Sequence, residues 1–262
     1  MKYRLADDAK PQVKLLLLAT LITVVLWFLP YADYLVYPVR LFVTFIHEGS
    51  HVLASLLTGG SVQSLTVASD GSGMVQSLTS SPLSVLITSS AGYLGAIAYG
   101  TLLLFLIRRA YSARIVLAAS AGFVGLMTVL FGLFAPLWNV FSANISFTSL
   151  LFTIISGAFL TVALLAISKY ASDWWANFTL AFLAVQCLLN AVYDLGTLFL
   201  INSPLATSHI HSDAANMAQV TGLPSIVWVM IWIGVSIILI SVGLRVYAVA
   251  NQSKQHDLPF ED

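Results

Sequence analysis

Apolar residues run continuously along most of this chain and are interrupted at intervals by short polar stretches. Seven apolar segments can be drawn, at approximately 15–30, 39–58, 83–107, 113–135, 145–168, 174–200 and 223–248. Most reach the roughly 20 residues that a helix needs to cross the hydrocarbon core of a bilayer. The runs are continuous, without the ten-residue alternation of a membrane β-barrel, and lipid leaves no partner for unpaired backbone groups. The pattern therefore predicts an all-α polytopic bundle of about six to seven transmembrane helices, a single membrane domain over residues 1–262. Small residues recur where such helices must pack closely: Ala91, Gly92, Gly95 and Gly100 in the third segment, Gly122 and Gly125 in the fourth.

Two polar stretches break the pattern. The loop 59–82 alternates over Val62-Gln63-Ser64-Leu65-Thr66-Val67, turns at Asp70-Gly71-Ser72-Gly73 and resumes at Met74-Val75-Gln76-Ser77-Leu78. Two β-capable runs around a Gly-rich turn predict a hairpin, with Asp70 as a turn residue. The second stretch, Asn202 to Gly222, carries His209, His211, Ser212 and Asp213, and Ser212-Asp213-Ala214-Ala215 reads as a helix start with Asp213 as its cap. His209 and His211 read as surface histidines. Residues 249–262 form a polar tail.

Composition agrees with the pattern. Hydrophobic residues make up 59% of the chain and charged residues 8%, with a mean hydropathy of +0.92, where a soluble domain carries roughly 25% charged residues. The formal net charge is zero, which gives no reason to expect a nucleic-acid partner. One cysteine, Cys187, excludes an intramolecular disulfide and a cysteine-based zinc site. Lys2, Arg4, Lys10 and Lys14 precede the first apolar run, as in a signal peptide. No small-residue cleavage site follows, and Pro30, Tyr31 and Tyr34 read as an interfacial boundary of an uncleaved helix. The basic N-terminus and Arg108, Arg109 and Arg114 make opposite demands on orientation if all seven segments cross.

The chemistry concentrates in Phe45-Ile46-His47-Glu48-Gly49-Ser50-His51. Residues i and i+4 share a helical face, so His47 and His51 can hold one metal, with Glu48 near the open position as general base. Imidazole suits zinc, whose catalytic sites keep one position for water. An ionisable group at membrane depth costs about 2.5–3.5 kcal/mol on insertion scales, so the cluster calls for a function. A third ligand is needed from another helix. Asp194, an acid well inside an otherwise apolar segment, is the first candidate and Asp213 the alternative. Asn190, one turn before Asp194, could orient a ligand or donate to a substrate carbonyl, or simply bond to a neighbouring helix. No Gly-x-Ser-x-Gly elbow supports a serine nucleophile.

The His47-Glu48-Gly49-Ser50-His51 helix, the Gly-rich hairpin after it and Ala91-Gly92-Tyr93-Leu94-Gly95 resemble the site-2 protease family, most closely a compact bacterial-type branch without a PDZ domain. Ser212-Asp213-Ala214, Thr221-Gly222-Leu223-Pro224 and a helix with Trp228 and Trp232 add to the likeness, which covers roughly residues 39–110 and 180–235. The resemblance implies a multi-pass protein of the cell membrane that binds Zn2+ through the two histidines. It further implies a membrane-protein substrate presented as an extended strand beside the hairpin. Better-known members take the third ligand from an Asp-Gly motif. Here Leu195 follows Asp194, which leaves Asp194 and Asp213 both open. The rival function is a metal-binding membrane protein without proteolysis, such as a transporter or regulatory scaffold.

Overall fold

The computed structural model describes residues 10–79, 81–140, 146–202 and 212–248. His209, His211 and the polar tail lie outside them. The element order is α1 (Lys10–Trp27), α2 (Ala32–Leu57), β1 (Ser61–Val67), β2 (Gly73–Leu78), α3 (Pro82–Arg108), α4 (Ala113–Trp138), α5 (Phe147–Tyr170), α6 (Asp173–Ile201), α7 (Asp213–Thr221) and α8 (Ser225–Ala248). Helices α3, α4, α5, α6 and, over Ser225–Arg245, α8 are long and apolar enough to cross a membrane, while α1 carries the shorter apolar stretch Val13–Leu26. The predicted hairpin is present, its strands antiparallel with Leu65 opposite Val75 and a bulge between Val62 and Ser64.

Helix α2 is the centre of the molecule. Leu41, Phe42, Val43, Phe45 and Ile46 are all buried, which no single helical face could achieve. It is enclosed by α3 on one side and by both strands on another. Its burial explains how one helix can carry His47, Glu48, Ser50 and His51 among apolar neighbours. The outward faces of α1, α5 and α8 instead present leucines, isoleucines and valines such as Leu17, Ile155 and Ile237, as a lipid-facing surface does.

The hairpin runs back along α2. Its turn is tied to that helix by Tyr37, whose hydroxyl donates to Ser69 O at 2.6 Å, and by Thr44, which donates to Gly71 O at 2.9 Å. Gly71 has φ +86°, a conformation that favours glycine, and Asp70 accepts from Ser72 N at 2.8 Å. Two hydrogen bonds from Ser72 hold the Asp70 carboxyl below the usual carboxylate range. Strand β1 lies inside, against α4 and α5. Its Val67 amide donates to Thr153 Oγ1 at 2.7 Å, and that hydroxyl lies 3.2 Å from Val67 O. Next to β1 the turns of α4 widen to π-helix over Thr128–Phe134, just before Pro136, which cannot complete the α-helical ladder. Strand β2 is the outer strand, and among the described residues its second edge pairs with no further strand.

Glycines set the spacing around α3: Gly95 meets Ser50 of α2, and Gly100 meets Leu188 and Cys187 of α6. Arg114 fastens the end of α5 to the start of α6. Its guanidinium donates to Ser168 O at 2.9 Å, Ala171 O at 2.6 Å and Asp173 Oδ1 at 3.0 Å.

Candidate metal centre

A cavity of about 900 Å³ opens between α2, the hairpin, α6 and α7. His47, Glu48 and His51 line it from α2, Gly73 to Ser77 from β2, Thr88 and Tyr93 from α3, Asn190 and Asp194 from α6, and Asp213 from α7. Glu48 and His51 are each 5% exposed.

The two imidazoles meet as the i, i+4 spacing requires, with their Nε2 atoms 3.1 Å apart. Asp213 Oδ2 completes the cluster, 3.3 Å from His51 Nε2 and 3.9 Å from His47 Nε2. These three side chains form a group whose ligand atoms lie within 4.8 Å of one another. Tetrahedral zinc with ligand bonds of about 2.0–2.1 Å would space its ligand atoms roughly 3.3 Å apart, so the observed separations suit that ion.

The donor chemistry suits it as well. His51 Nδ1 lies 2.6 Å from Thr88 O. A carbonyl can only accept, so Nδ1 holds the proton and donates, and a neutral His51 turns the lone pair of Nε2 toward the Asp213 carboxylate. Two acceptors at that distance need a proton or a cation between them. With a proton rather than a metal between them, burial disfavours the charged Asp213 carboxylate, but the charge on the His51 and His47 imidazoles outweighs it and holds this carboxyl below the usual range.

Backbone shape leaves room for the cluster. A Cβ built on Gly92 would overlap Nε2 of both His47 and His51, and one on Gly73 would overlap the Glu48 carboxylate. Both positions favour glycine because the His47, His51 and Glu48 side chains fill the space a methyl would take.

The reading of Asp213 as the helix cap is corrected here. Ser212 is the N-cap of α7 and accepts from Ala215 N at 3.3 Å. Asp213 is the first residue inside the helix, and its side chain points to the histidines. Asp194 lines the same cavity and lies within electrostatic range of His47 and Arg40, but is not one of the three clustered residues. Asn190 directs its amide nitrogen to Gln186 O and Oε1, both at 2.9 Å, and Gln186 Nε2 donates to Thr23 Oγ1 at 2.8 Å. That amide nitrogen thus belongs to a ladder joining α6 to α1.

Sequence reasoning gave no role of its own to Tyr93. Its ring stands edge-on to His47, centroids 4.6 Å apart at 88°, and stacks on Trp232 at 5.5 Å and 26°. The signal available was its place between Gly92 and Gly95 on the helix facing the His-Glu-x-x-His turn.

No curated protein and no solved structure matches the chain significantly. The family model described as Peptidase M50B-like matches residues 17–243, nearly the whole length and every element of the cavity, and the chain belongs to that family, the site-2 protease family of integral membrane metallopeptidases.

Proposed function

We propose that the protein is an intramembrane zinc endopeptidase in which His47, His51 and Asp213 hold the metal and Glu48 is the general base. The observation that carries this reading is the convergence of the three ligand atoms within 4.8 Å on the wall of the cavity that also holds Glu48. A zinc ion held there would supply Lewis acidity, polarising the scissile carbonyl and acidifying a water at the open position.

The chain's own residues do the rest. Glu48 accepts a proton from the attacking water at a carboxylate oxygen. As the water oxygen bonds to the carbonyl carbon and the C–N bond breaks, Glu48 returns that proton to the leaving amine nitrogen. His51 keeps its Nε2 lone pair on the metal side because Thr88 O holds the Nδ1 proton. The substrate is a segment of another membrane protein, unwound locally so that its backbone pairs with the open edge of β2, since an intact helix hides its peptide bonds. Gly73 brings β2 against Glu48.

The test combines zinc content with cleavage. Purified wild type is expected to carry zinc near one per chain, as are Glu48→Gln and Asp194→Asn, while His47→Ala and Asp213→Asn lose it. In cells, new N-termini inside apolar segments of membrane proteins should arise with wild type and vanish with Glu48→Gln. Equal cleavage by Glu48→Gln refutes the general-base role, and zinc retained by Asp213→Asn but lost by Asp194→Asn moves the third ligand to α6. Full zinc with no such termini favours the non-proteolytic metal protein.

A further inference from the structure

We infer that Tyr93 is a positioning residue for His47, held in place by Trp232 and Ser90, and that this aromatic clamp sets the zinc affinity of the site. The inference rests on the zinc reading above and extends it to residues that touch no reacting atom.

The two histidines are held differently. His51 is fixed through its second ring nitrogen by the Thr88 carbonyl at 2.6 Å. A ligating imidazole ordinarily has such a partner, which fixes the ring and its tautomer. What meets the His47 ring is the Tyr93 ring at 4.6 Å and 88°. An edge-on aromatic contact has a preferred geometry, so it can restrict rotation of the imidazole.

Tyr93 is itself immobilised. Its ring stacks on Trp232 at 5.5 Å and 26°. Trp232 is 1% exposed, and its Nε1 donates to Ser90 Oγ at 3.0 Å. Ser90 stands one turn before Tyr93 on α3, and its hydroxyl donates to Leu86 O at 2.8 Å. The contacts form a closed path from α3 to α8, back to α3 and on to His47 of α2. The ring contact that Trp232 makes is with Tyr93, which in turn meets His47, so the stacked pair links Trp232 to the site.

The experiment is a chelator competition on the full-length, detergent-purified chain, giving the zinc dissociation constant, with apo-protein melting alongside. Loss of an outer partner of a ligating histidine typically costs 10–100-fold in metal affinity. Tyr93→Leu is expected to weaken zinc binding about 10-fold, at the low end of that range, and Trp232→Leu several-fold. Tyr93→Phe, which keeps the ring, should match wild type. Unchanged affinity in Tyr93→Leu, or an equal loss in Tyr93→Phe and Tyr93→Leu, overturns the clamp while leaving the zinc site standing. A wild type that binds no zinc overturns the zinc reading and the clamp together. Trp232→Leu and Tyr93→Phe keep the inference testable if Tyr93→Leu melts well below wild type.

Discussion

Gly92→Ala tests the metal centre without touching a ligand. A Cβ at this position would overlap both imidazole Nε2 atoms and sit 2.6 Å from His47 Cε1. Non-bonded carbons rest at roughly 3.5–4.0 Å, so the His47 ring must retreat by about 1 Å, and His51 must move with it. His51 has little freedom, because its Nδ1 is bonded to Thr88 O. Metal sites tolerate about ±0.2 Å in ligand distance, and a misplacement of 1 Å in a reactive constellation can cost about 100-fold. Zinc affinity is therefore expected to fall by about 100-fold or more, on the order of 2.7 kcal/mol at 1.36 kcal/mol per tenfold. The fold should survive, because alanine is the better helix former by up to about 1 kcal/mol and the atoms it displaces are side-chain ends. The assay is zinc per chain by mass spectrometry with apo-protein melting. Gly122→Ala, whose Cβ would meet nothing within 4 Å, is the control and should keep its zinc. Gly92→Ala with zinc affinity equal to that control would refute the placement of the imidazoles.

Two further outcomes follow from the frame around the site. Ser212→Ala removes the cap of α7, which should cost about 1 kcal/mol and loosen Asp213, so zinc affinity should drop while Ser212→Asn, another good cap, retains it; isothermal titration with zinc would show whether both hold. Arg114→Ala removes a side chain that is 37% exposed and joins three α5–α6 connection carbonyls to Asp173. After discounting for exposure, a loss of about 1–3 kcal/mol should appear in thermal melting, with Arg114→Lys recovering little because an ammonium cannot reproduce the fork, and Asp173→Ala changing little.

The helices were legible because their lengths are set by the bilayer rather than by neighbours. The third apolar segment, 83–107, matches Pro82–Arg108, and the sixth, 174–200, matches Asp173–Ile201. The first residues of α2 were not legible. The helix begins at Ala32, ahead of the predicted 39, because it accommodates Pro38 and continues through Asp33 and Arg40. The hairpin was legible from period-two alternation and a Gly-rich turn. Its depth was not: a polar loop in sequence is folded back against α2, with Val67 at the end of β1 bonded to Thr153, and nothing local in residues 61–67 foretells that partner 86 positions away.

The choice between Asp194 and Asp213 marks where sequence reasoning reaches its limit. Both acids face the cavity. Asp194 drew attention because an acid inside an apolar helix is costly, whereas Asp213 looked like an ordinary cap at a helix start. Ser212 and Asp213 are both good capping residues, and local rules cannot say which of two adjacent caps is used. The distinction is made by packing: Ala214 and Met217 are buried, which fixes the rotation of α7 and leaves Ser212 at the cap and Asp213 facing His51 at 3.3 Å. The same logic accounts for Tyr93, whose ring acquires a task only once Trp232 of α8 lies behind it. What the sequence states directly is which groups are too polar for their surroundings. Which of them meet is decided by the burial of the apolar residues between them, and the cost of burying His47, Glu48 and His51 in a membrane bundle is met here by enclosing α2 within protein and opening its polar face onto a cavity.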